Sequence, residues 1–369
     1  MRVIAAIASV AAMAVLLAEF FVVFLLPRRV KRDPRIARGL LRSLWVPWRA
    51  IADRLPPVSR DTMLGVFGPL GLLTILGLLS AGVIVCFSGL QWANSSRLGG
   101  LHPAGFADDL YFSAGAFFSA STPSLPSGGL GKPMQVAEAA CGLGFLAIAI
   151  GYLPALFQAF SRRETAVSRL DPRAGSPPSA GALLERSGLR GGWSELDEYL
   201  REWETWTAEL METHLSYPIL GYFRSQHVNQ NWLAALTTVV DSCAYAIAYG
   251  PEESIEAAEL TFRIGRHALA DLAYAFSTRR LRRTSEHSGR ERLSRQALSE
   301  LRSRLEGSGL HVDGDDDALA TLDKLRSSYE HYAIAISDQL ALDLPDWIAA
   351  EVRENWRVAT HHRGERLLP

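Results

Sequence analysis

A short polar segment at residues 119–124 places oxygen ligands between two long apolar runs. Hydroxyl and backbone carbonyl oxygens can replace the water shell of a monovalent cation when they line a narrow pore. Non-helical backbone is tolerated at membrane depth only where protein or water covers it. The segment therefore fits either a loop that re-enters the membrane and conducts ions, or an external loop beside a surface helix. Its residues are Ser119, Ala120, Ser121, Thr122, Pro123 and Ser124.

The residues before this segment favour a short helix that would position it. The run LYFSAGAFFSA at 110–120 could supply about three turns. Asp108 and Asp109 can cap its start and interact with the helix dipole, and Pro123 and Pro126 would end it. The candidate pore loop spans residues 105–127, and its pore-helix residues are Asp108, Asp109, Tyr111, Phe112, Phe117 and Phe118.

Three apolar runs, at residues 3–26, 63–90 and 136–160, are long enough to cross a bilayer as helices. A hydrocarbon core of about 30 Å needs about 20 helical residues. The first run is too long for a typical signal-peptide core, and no small-residue cleavage site precedes the basic cluster after it. The fold class that we predict is an all-α membrane protein: three transmembrane helices with a re-entrant segment, followed by a cytoplasmic helical bundle.

The distribution of basic residues predicts how these spans are oriented. Residues 28–60 contain ten basic and two acidic residues, whereas the loop at 91–132 has only Arg97 and Lys132 as basic residues. Basic residues concentrate in short cytoplasmic loops. We therefore expect a multi-pass protein of the plasma membrane with an external N-terminus, an external 91–132 loop and a cytoplasmic C-terminal half.

The segment between the second and third spans resembles the pore loop of the bacterial two-span potassium-channel family. The residues that carry this resemblance are Asp109-Leu110-Tyr111-Phe112-Ser113 at the helix start, Phe117-Phe118 before the filter, and Leu125-Pro126 after it. The resemblance covers residues 63–160. It implies an outer helix, a pore helix, a selectivity filter and an inner helix. It also implies four copies of the chain around one axis and conduction of monovalent cations.

The filter residues depart from the family pattern T-x-G-Y-G-D. Ser119 stands at the threonine position and Ser121 and Pro123 stand at the two glycine positions, with Thr122 in place of the tyrosine. The glycines of such a filter allow backbone angles that other residues disfavour, and proline has a fixed φ and no N–H. Two alternatives follow: a wider, less selective hydrated pore, or a closed pore that serves as a membrane scaffold.

Three residues of the third span could act in gating. Gly144 and Gly151 are candidate hinges, although glycines in spans are also common packing positions. Pro154 is expected to kink the helix near its inner end.

Two acidic residues lie inside the spans. Glu19 is expected to face the helix bundle or to pair with a basic residue from 28–32, and Glu138 to meet water near the outer end of its span or to surround a pore mouth. Ionisable residues in spans are candidates for functional sites.

The chain divides by composition into an anchor at 1–27, a basic cytoplasmic linker at 28–60, a channel-like pore domain at 61–162 and a cytoplasmic all-helical domain at 163–369. In the last domain, helices are expected at 193–215, 217–226, 229–249, 252–283, 289–306, 316–340 and 345–362. The run at 229–249 is apolar enough for a span, but Asp241 in its middle favours a core helix of the bundle.

No motif in the sequence predicts catalysis, a cofactor or nucleic-acid binding. The three cysteines have no metal-ligand spacing, and the acidic run at 313–317 lacks the glycine and glutamate of a calcium loop. We therefore expect no metal and no enzyme activity; the expected partners are membrane lipid, further copies of the chain and monovalent cations. The leading hypothesis is a channel-like protein. The alternatives are a non-conducting scaffold or signalling protein with a helical sensor domain, and a membrane-tethered enzyme.

Overall fold

The computed structural model describes residues 1–25, 36–94, 97–98, 105–120, 126–127, 130–227, 229–252, 255–276, 291–310 and 316–349. These residues divide into two compact units, Met1–Gln158 and Ala159–Pro369. The division falls close to the composition break that separates the predicted pore domain from the cytoplasmic domain. The architecture is helical, with one pair of two-residue strands in the described part.

In chain order the α-helices are α1 (Arg2–Phe24), α2 (Ile36–Ala52), α3 (Pro57–Ala93), α4 (Phe106–Phe117), α5 (Gly131–Ala174), α6 (Ala180–Arg190), α7 (Gly192–Ser216), α8 (Trp232–Tyr249), α9 (Glu256–Phe276), α10 (Arg295–Gly307), α11 (Asp316–Ser327) and α12 (Glu330–Leu340). A 3-10 helix covers Pro218–Tyr222, and strands β1 (Arg97–Leu98) and β2 (Pro126–Ser127) pair antiparallel.

Four of these helices, α1, α3, α5 and α8, are long and apolar enough to cross a membrane. The first three contain the predicted spans. In α8, 89% of the most apolar stretch is buried within the protein, and the side chains that cover it come from the second unit. That burial agrees with the expected core helix, because the faces of α8 are already occupied by protein.

In the first unit, α1 runs antiparallel to α3. Ser9 packs on Gly89 so closely that a Cβ atom at Gly89 would lie 2.3 Å from the Ser9 hydroxyl oxygen, and Leu16 packs on Gly82. The step of seven residues from Ser9 to Leu16 on α1 therefore matches the step of seven residues from Gly89 back to Gly82 on α3, as expected for antiparallel helices. α1 also contacts α5, where the ring of Phe20 stacks on Phe145 with centroids 3.8 Å apart. Small residues allow the close approach that helix pairs in lipid require.

The predicted basic linker at 28–60 contains helix α2, which pairs with the beginning of α3. The indole N–H of Trp48 donates a hydrogen bond to the Met63 carbonyl at 2.9 Å, and the rings of Trp45 and Phe67 lie 4.8 Å apart. The arginines of this stretch mask the apolar periodicity of one helix face, so the sequence alone predicts a connection here and not a helix.

The second unit is a helical bundle whose elements mostly follow the predicted pattern with changes at their ends, but the predicted helix at 217–226 forms only the 3-10 helix Pro218–Tyr222. α5 continues to Ala174, across the predicted boundary between the pore domain and the helical domain, and the Ser179 hydroxyl caps α6 by accepting from the Ala182 N–H at 3.3 Å. The predicted helix at 316–340 is divided into α11 and α12. Residues 345–349 of the last predicted helix are not helical, and residues 350–362 lie outside the described residues.

Arg292 is the centre of a buried charge network in this bundle. Its guanidinium binds both oxygens of Asp241 on α8, and its Nε donates to the Pro345 carbonyl at 2.9 Å. The hydroxyl of Tyr329 also donates to Asp241. The pKa of Tyr329 is raised well above its usual value by burial and by the neighbouring Asp241 carboxylate. Asp241, which the sequence places in the middle of an apolar helix, is therefore paired.

A second buried cation, Arg163, holds the chain after α7. Its guanidinium donates to the carbonyls of Leu220 at 2.9 Å and Phe223 at 3.0 Å, and it lies 3.3 Å from Nε2 of His214. The other ring nitrogen of His214 donates to the Leu210 carbonyl at 2.9 Å. Because arginine can only donate, Nε2 of His214 must accept, which requires the neutral ring.

Candidate pore segment and the carboxyl groups beside it

Helix α4 occupies the place where the sequence predicts a short helix. Its first turn carries both predicted acidic residues, and the Asp108 carboxylate accepts a hydrogen bond from the Gly105 N–H at 3.0 Å. Asp109 turns the other way and is completely buried. Asp108 therefore acts at the helix end as expected, whereas Asp109 belongs to the packed face.

The two faces of α4 differ sharply in exposure. The buried side chains are Asp109, Phe112, Ser113, Ala116 and Phe117, at the spacing of three and four residues that marks one side of a helix. Tyr111 is 71% exposed and Phe118 is 69% exposed. Of the six predicted pore-helix residues, Asp109, Phe112 and Phe117 thus pack inside the unit, and Tyr111 and Phe118 project outward as aromatic side chains.

The carboxyl end of α4 contacts α5 backbone to backbone. A Cβ atom at Gly142 would lie 1.8 Å from the carbonyl oxygen of Phe117, so only glycine fits. The rings of Phe117 and Phe145 lie 5.5 Å apart. One turn earlier on both helices, the hydroxyl of Ser113 reaches the carboxyl group of Glu138. The two helices therefore run in the same direction along this contact.

Helix α4 ends in a Schellman motif rather than at the predicted prolines. The N–H of Ala120 donates to the Gly115 carbonyl at 2.8 Å, and the N–H of Ser119 donates to the Ala116 carbonyl at 3.1 Å. Ser119 has a φ of 55°, the left-handed conformation that this motif requires and that is usually taken by glycine. The helix therefore ends three residues before Ala120, the end of the predicted run.

The rest of the filter positions, Ser121, Thr122, Pro123 and Ser124, lie outside the described residues. The chain is described again at β2, where Pro126 pairs with Leu98 and Ser127 with Arg97. The segment is thus bounded on one side by the end of α4 and on the other by a strand pair with the loop that follows α3.

The candidate gating residues lie on a continuous helix. α5 runs unbroken from Gly131 to Ala174 through Gly144, Gly151 and Pro154. A Cβ atom at Gly144 or Gly151 would have no described atom within 4 Å. Within this chain these glycines are therefore not close-packing positions, in contrast to Gly142. Their role as hinges stays a prediction.

Glu138 lies on the packed face of α5. Its side chain is fully buried, in a stripe that continues through Gly142 and Phe145. Neither carboxyl oxygen completes a regular hydrogen bond with a described residue. The expectation that Glu138 meets water near the outer end of the span is therefore wrong for this chain.

Glu19, the other acidic residue in a span, has a definite partner. Its carboxylate accepts a hydrogen bond from the backbone N–H of Ala37, in the first turn of α2, at 2.8 Å. A carboxylate at a helix N-terminus interacts favourably with the helix dipole. The basic residues at 28–32, which the sequence suggests as partners, lie outside the described residues.

Two more polar residues beside α4 were not singled out from the sequence. Ser88 and Gln91, near the end of α3, are completely buried, and the amide nitrogen of Gln91 donates to the Gly131 carbonyl at 3.3 Å. The signal that could have identified them is their spacing of three residues on one face of an otherwise apolar helix. Together with Ser113 and Glu138 they make the α3, α4 and α5 packing unusually polar for a membrane segment.

No family model, no curated protein and no solved structure matches this chain. The resemblance to the two-span potassium-channel family therefore depends on the residues of the pore loop alone. In the described part of the chain, no group of three or more His, Cys, Asp or Glu side chains could hold a metal ion.

Proposed function

We propose that this multi-pass membrane protein forms a channel-like pore in which residues 119–127 line the path of monovalent cations. The observation that carries the proposal is the position that the carboxyl end of α4 occupies along α5. The apolar run of α5 starts at Val136, and the contact of Phe117 with Gly142 lies six residues further on. At 1.5 Å per residue, the carboxyl end of α4 would lie about 9 Å inside the apolar layer.

A short helix that ends inside the apolar layer must be followed by chain that returns to the surface. Residues 119–125 would make this return, since β2 pairs with the loop after α3. Such a return needs a wet or protein-covered environment for its backbone. Several copies of the chain around a shared axis would supply one, and the exposed aliphatic face of α5, with Leu143, Leu146 and Ile150, offers a surface for assembly or for lipid.

Potassium selectivity of the usual kind is not part of the proposal. Ser119 serves as the left-handed residue that ends α4, and Pro123 stands at a glycine position of the filter pattern. Proline cannot adopt the backbone angles that align successive filter carbonyls. We therefore expect a pore that discriminates weakly between potassium and sodium, with hydroxyl groups as its main polar lining.

The test is current through planar bilayers that contain the purified full-length protein, under potassium and sodium gradients. The pore variant is Ser119→Gly combined with Thr122→Ala, because glycine removes the hydroxyl and keeps the backbone conformation that Ser119 adopts. The matched control is Thr74→Ala on α3, where the hydroxyl bonds only to the Leu70 carbonyl of its own helix at 2.8 Å.

We expect currents from the wild type and from the control, and an altered conductance or reversal potential in the pore variant. Identical currents in all three proteins would show that residues 119–124 do not line the conduction path. No current from protein shown to be folded, and oligomeric by native mass spectrometry, would overturn the channel proposal.

The second candidate function is a non-conducting membrane scaffold or signalling protein with the helical bundle as its sensor. The specific observation in its favour is the substitution of both filter glycines, which a protein that no longer conducts would tolerate. Absence of current from assembled protein would support it. That the chain is not an enzyme, that it resides in the plasma membrane and that its N-terminus is external stay predictions.

A further inference from the structure

Glu138 occupies a position that an ionised carboxylate could hold only at a high cost. It is fully buried on the face of α5 that continues through Gly142 and Phe145, and it has no ion pair among the described residues. Transfer of an unpaired charge into an apolar interior costs so much that the group takes up a proton instead. An acidic residue that is buried in this way inside a span is a functional-site candidate.

Among the described residues, the groups near Glu138 include no cation that could replace the proton. On α4 the neighbouring group is the hydroxyl of Ser113, and Asp109 is buried one turn earlier on the same helix. On α5 the thiol of Cys141 is near enough to interact with it electrostatically. A hydroxyl can accept a hydrogen bond from a carboxylic acid.

We propose that Glu138 is a proton-binding site, and that its neutral carboxyl group donates a hydrogen bond to Ser113 and fastens α4 to α5. Release of the proton to water leaves a carboxylate that accepts from the same hydroxyl but is poorly solvated, so the helix contact loosens. The neighbouring contact of Phe117 with Gly142 lies one turn further along α5. The protonation state of Glu138 therefore acts on the end of α4, where the pore segment begins.

The experiment is infrared spectroscopy of the full-length protein in lipid nanodiscs as a function of pH. A protonated carboxyl group has a carbonyl stretching band that is separate from the bands of carboxylates and of the backbone. We expect such a band at neutral pH, its loss in Glu138→Gln, and a shift to higher frequency in Ser113→Ala because the hydrogen bond is removed. Raising the pH should remove the band from the wild type.

The matched control is Glu330→Gln, because Glu330 is a largely buried glutamate of the second unit whose protonation could give a similar band. Burial and the nearby Asp241 carboxylate raise the pKa of Glu330. This control should leave intact the band that Glu138→Gln removes.

If Glu138→Gln does not fold, the pH titration of the wild type and the band shift in Ser113→Ala still test the proposal. A spectrum without a carboxylic acid band at neutral pH, or a band unaffected by Ser113→Ala, would overturn the proposal. The infrared measurement does not depend on ion conduction, so the proposal for Glu138 can be tested even if the protein carries no current.

Discussion

The buried charges of the Arg292 and Arg163 clusters in the second unit differ from Glu138 in the first unit. In the second unit, Arg292 and Asp241 form a fully buried ion pair, and Arg163 donates to two carbonyls and a histidine. In the first unit, the buried carboxyl group of Glu138 has no ion pair among the described residues and lies beside the hydroxyl of Ser113. A paired buried charge fixes the positions of several chain segments, whereas a buried carboxyl group without an ion pair can gain or lose a proton. The difference assigns structural roles to the buried charges of the bundle and a responsive role to Glu138.

The largest effect is expected from breaking the Arg292 pair. Replacement Arg292→Met leaves Asp241 buried without its cation, and loss of one partner of a buried pair typically costs about 3–5 kcal/mol. The free energy of unfolding should fall by that amount in chemical denaturation followed by tryptophan fluorescence. This signal reports mostly on the second unit, because six of the nine tryptophans lie there.

The control for Arg292 is Arg304→Met, which removes an exposed ion pair with Glu300 one turn away on the same helix. Exposed pairs of this kind contribute little to stability. If Arg292→Met were as mild as this control, the network around Asp241 would not hold the bundle together, and the contrast between the two units would lose its basis.

A comparison of two neighbouring glycines tests the contact of α4 with α5. Gly142→Ala places a methyl group against the Phe117 carbonyl, at 1.8 Å before any movement, whereas Gly144→Ala meets no described atom within 4 Å. Overpacking of this kind costs about 1–3 kcal/mol or more. Alanine at an unobstructed helix position is instead favoured over glycine by about 1 kcal/mol.

We therefore expect Gly142→Ala to lower the thermal unfolding temperature in detergent and Gly144→Ala to leave it unchanged or raise it. The same pair of variants should be compared by infrared spectroscopy, because displacement of α4 would also disturb the proposed hydrogen bond between Glu138 and Ser113. Equal stability of the two variants would show that α4 does not lie on α5 as described.

Elements with a strong local signal could be predicted from the sequence. The spacing of Leu196, Leu200, Trp203 and Trp206 defines one apolar face, and α7 begins and ends within one residue of the predicted bounds. Helix α4 was also predictable, since acidic residues at its start and aromatic residues at helical spacing agree with one another.

Features that depend on partners distant in the chain could not be predicted. The hydrogen bond from Ala37 to Glu19 joins two helices through residues that carry no common pattern. The left-handed Ser119 has no sequence signal either, because glycine or asparagine would be expected there. The placement of Glu138 against Ser113 required the register of α4 on α5, which the close approach at Gly142 sets.

The smallest predicted effect concerns His214, the titratable member of the Arg163 cluster. Burial and the positive charge of Arg163 lower the pKa of His214 well below its usual value of about 6.5. The unfolded chain therefore binds a proton, below about pH 6.5, that the folded protein cannot accommodate. The stability should fall as the pH decreases from about 6.5 to 5, by at most about 1.4 kcal/mol per pH unit.

The variant His214→Gln tests this linkage because an amide can still accept from Arg163 and donate to the Leu210 carbonyl, but it does not titrate. Its stability should change less between pH 6.5 and 5 than that of the wild type, in denaturation curves followed by tryptophan fluorescence. His331→Gln is the control, since burial also lowers the pKa of His331, though less, and that ring is partly exposed. A steep pH dependence that persists in His214→Gln would mean that another group causes the loss of stability at low pH. Arg163 would then have only a structural role, and His214 could be replaced without changing the pH dependence.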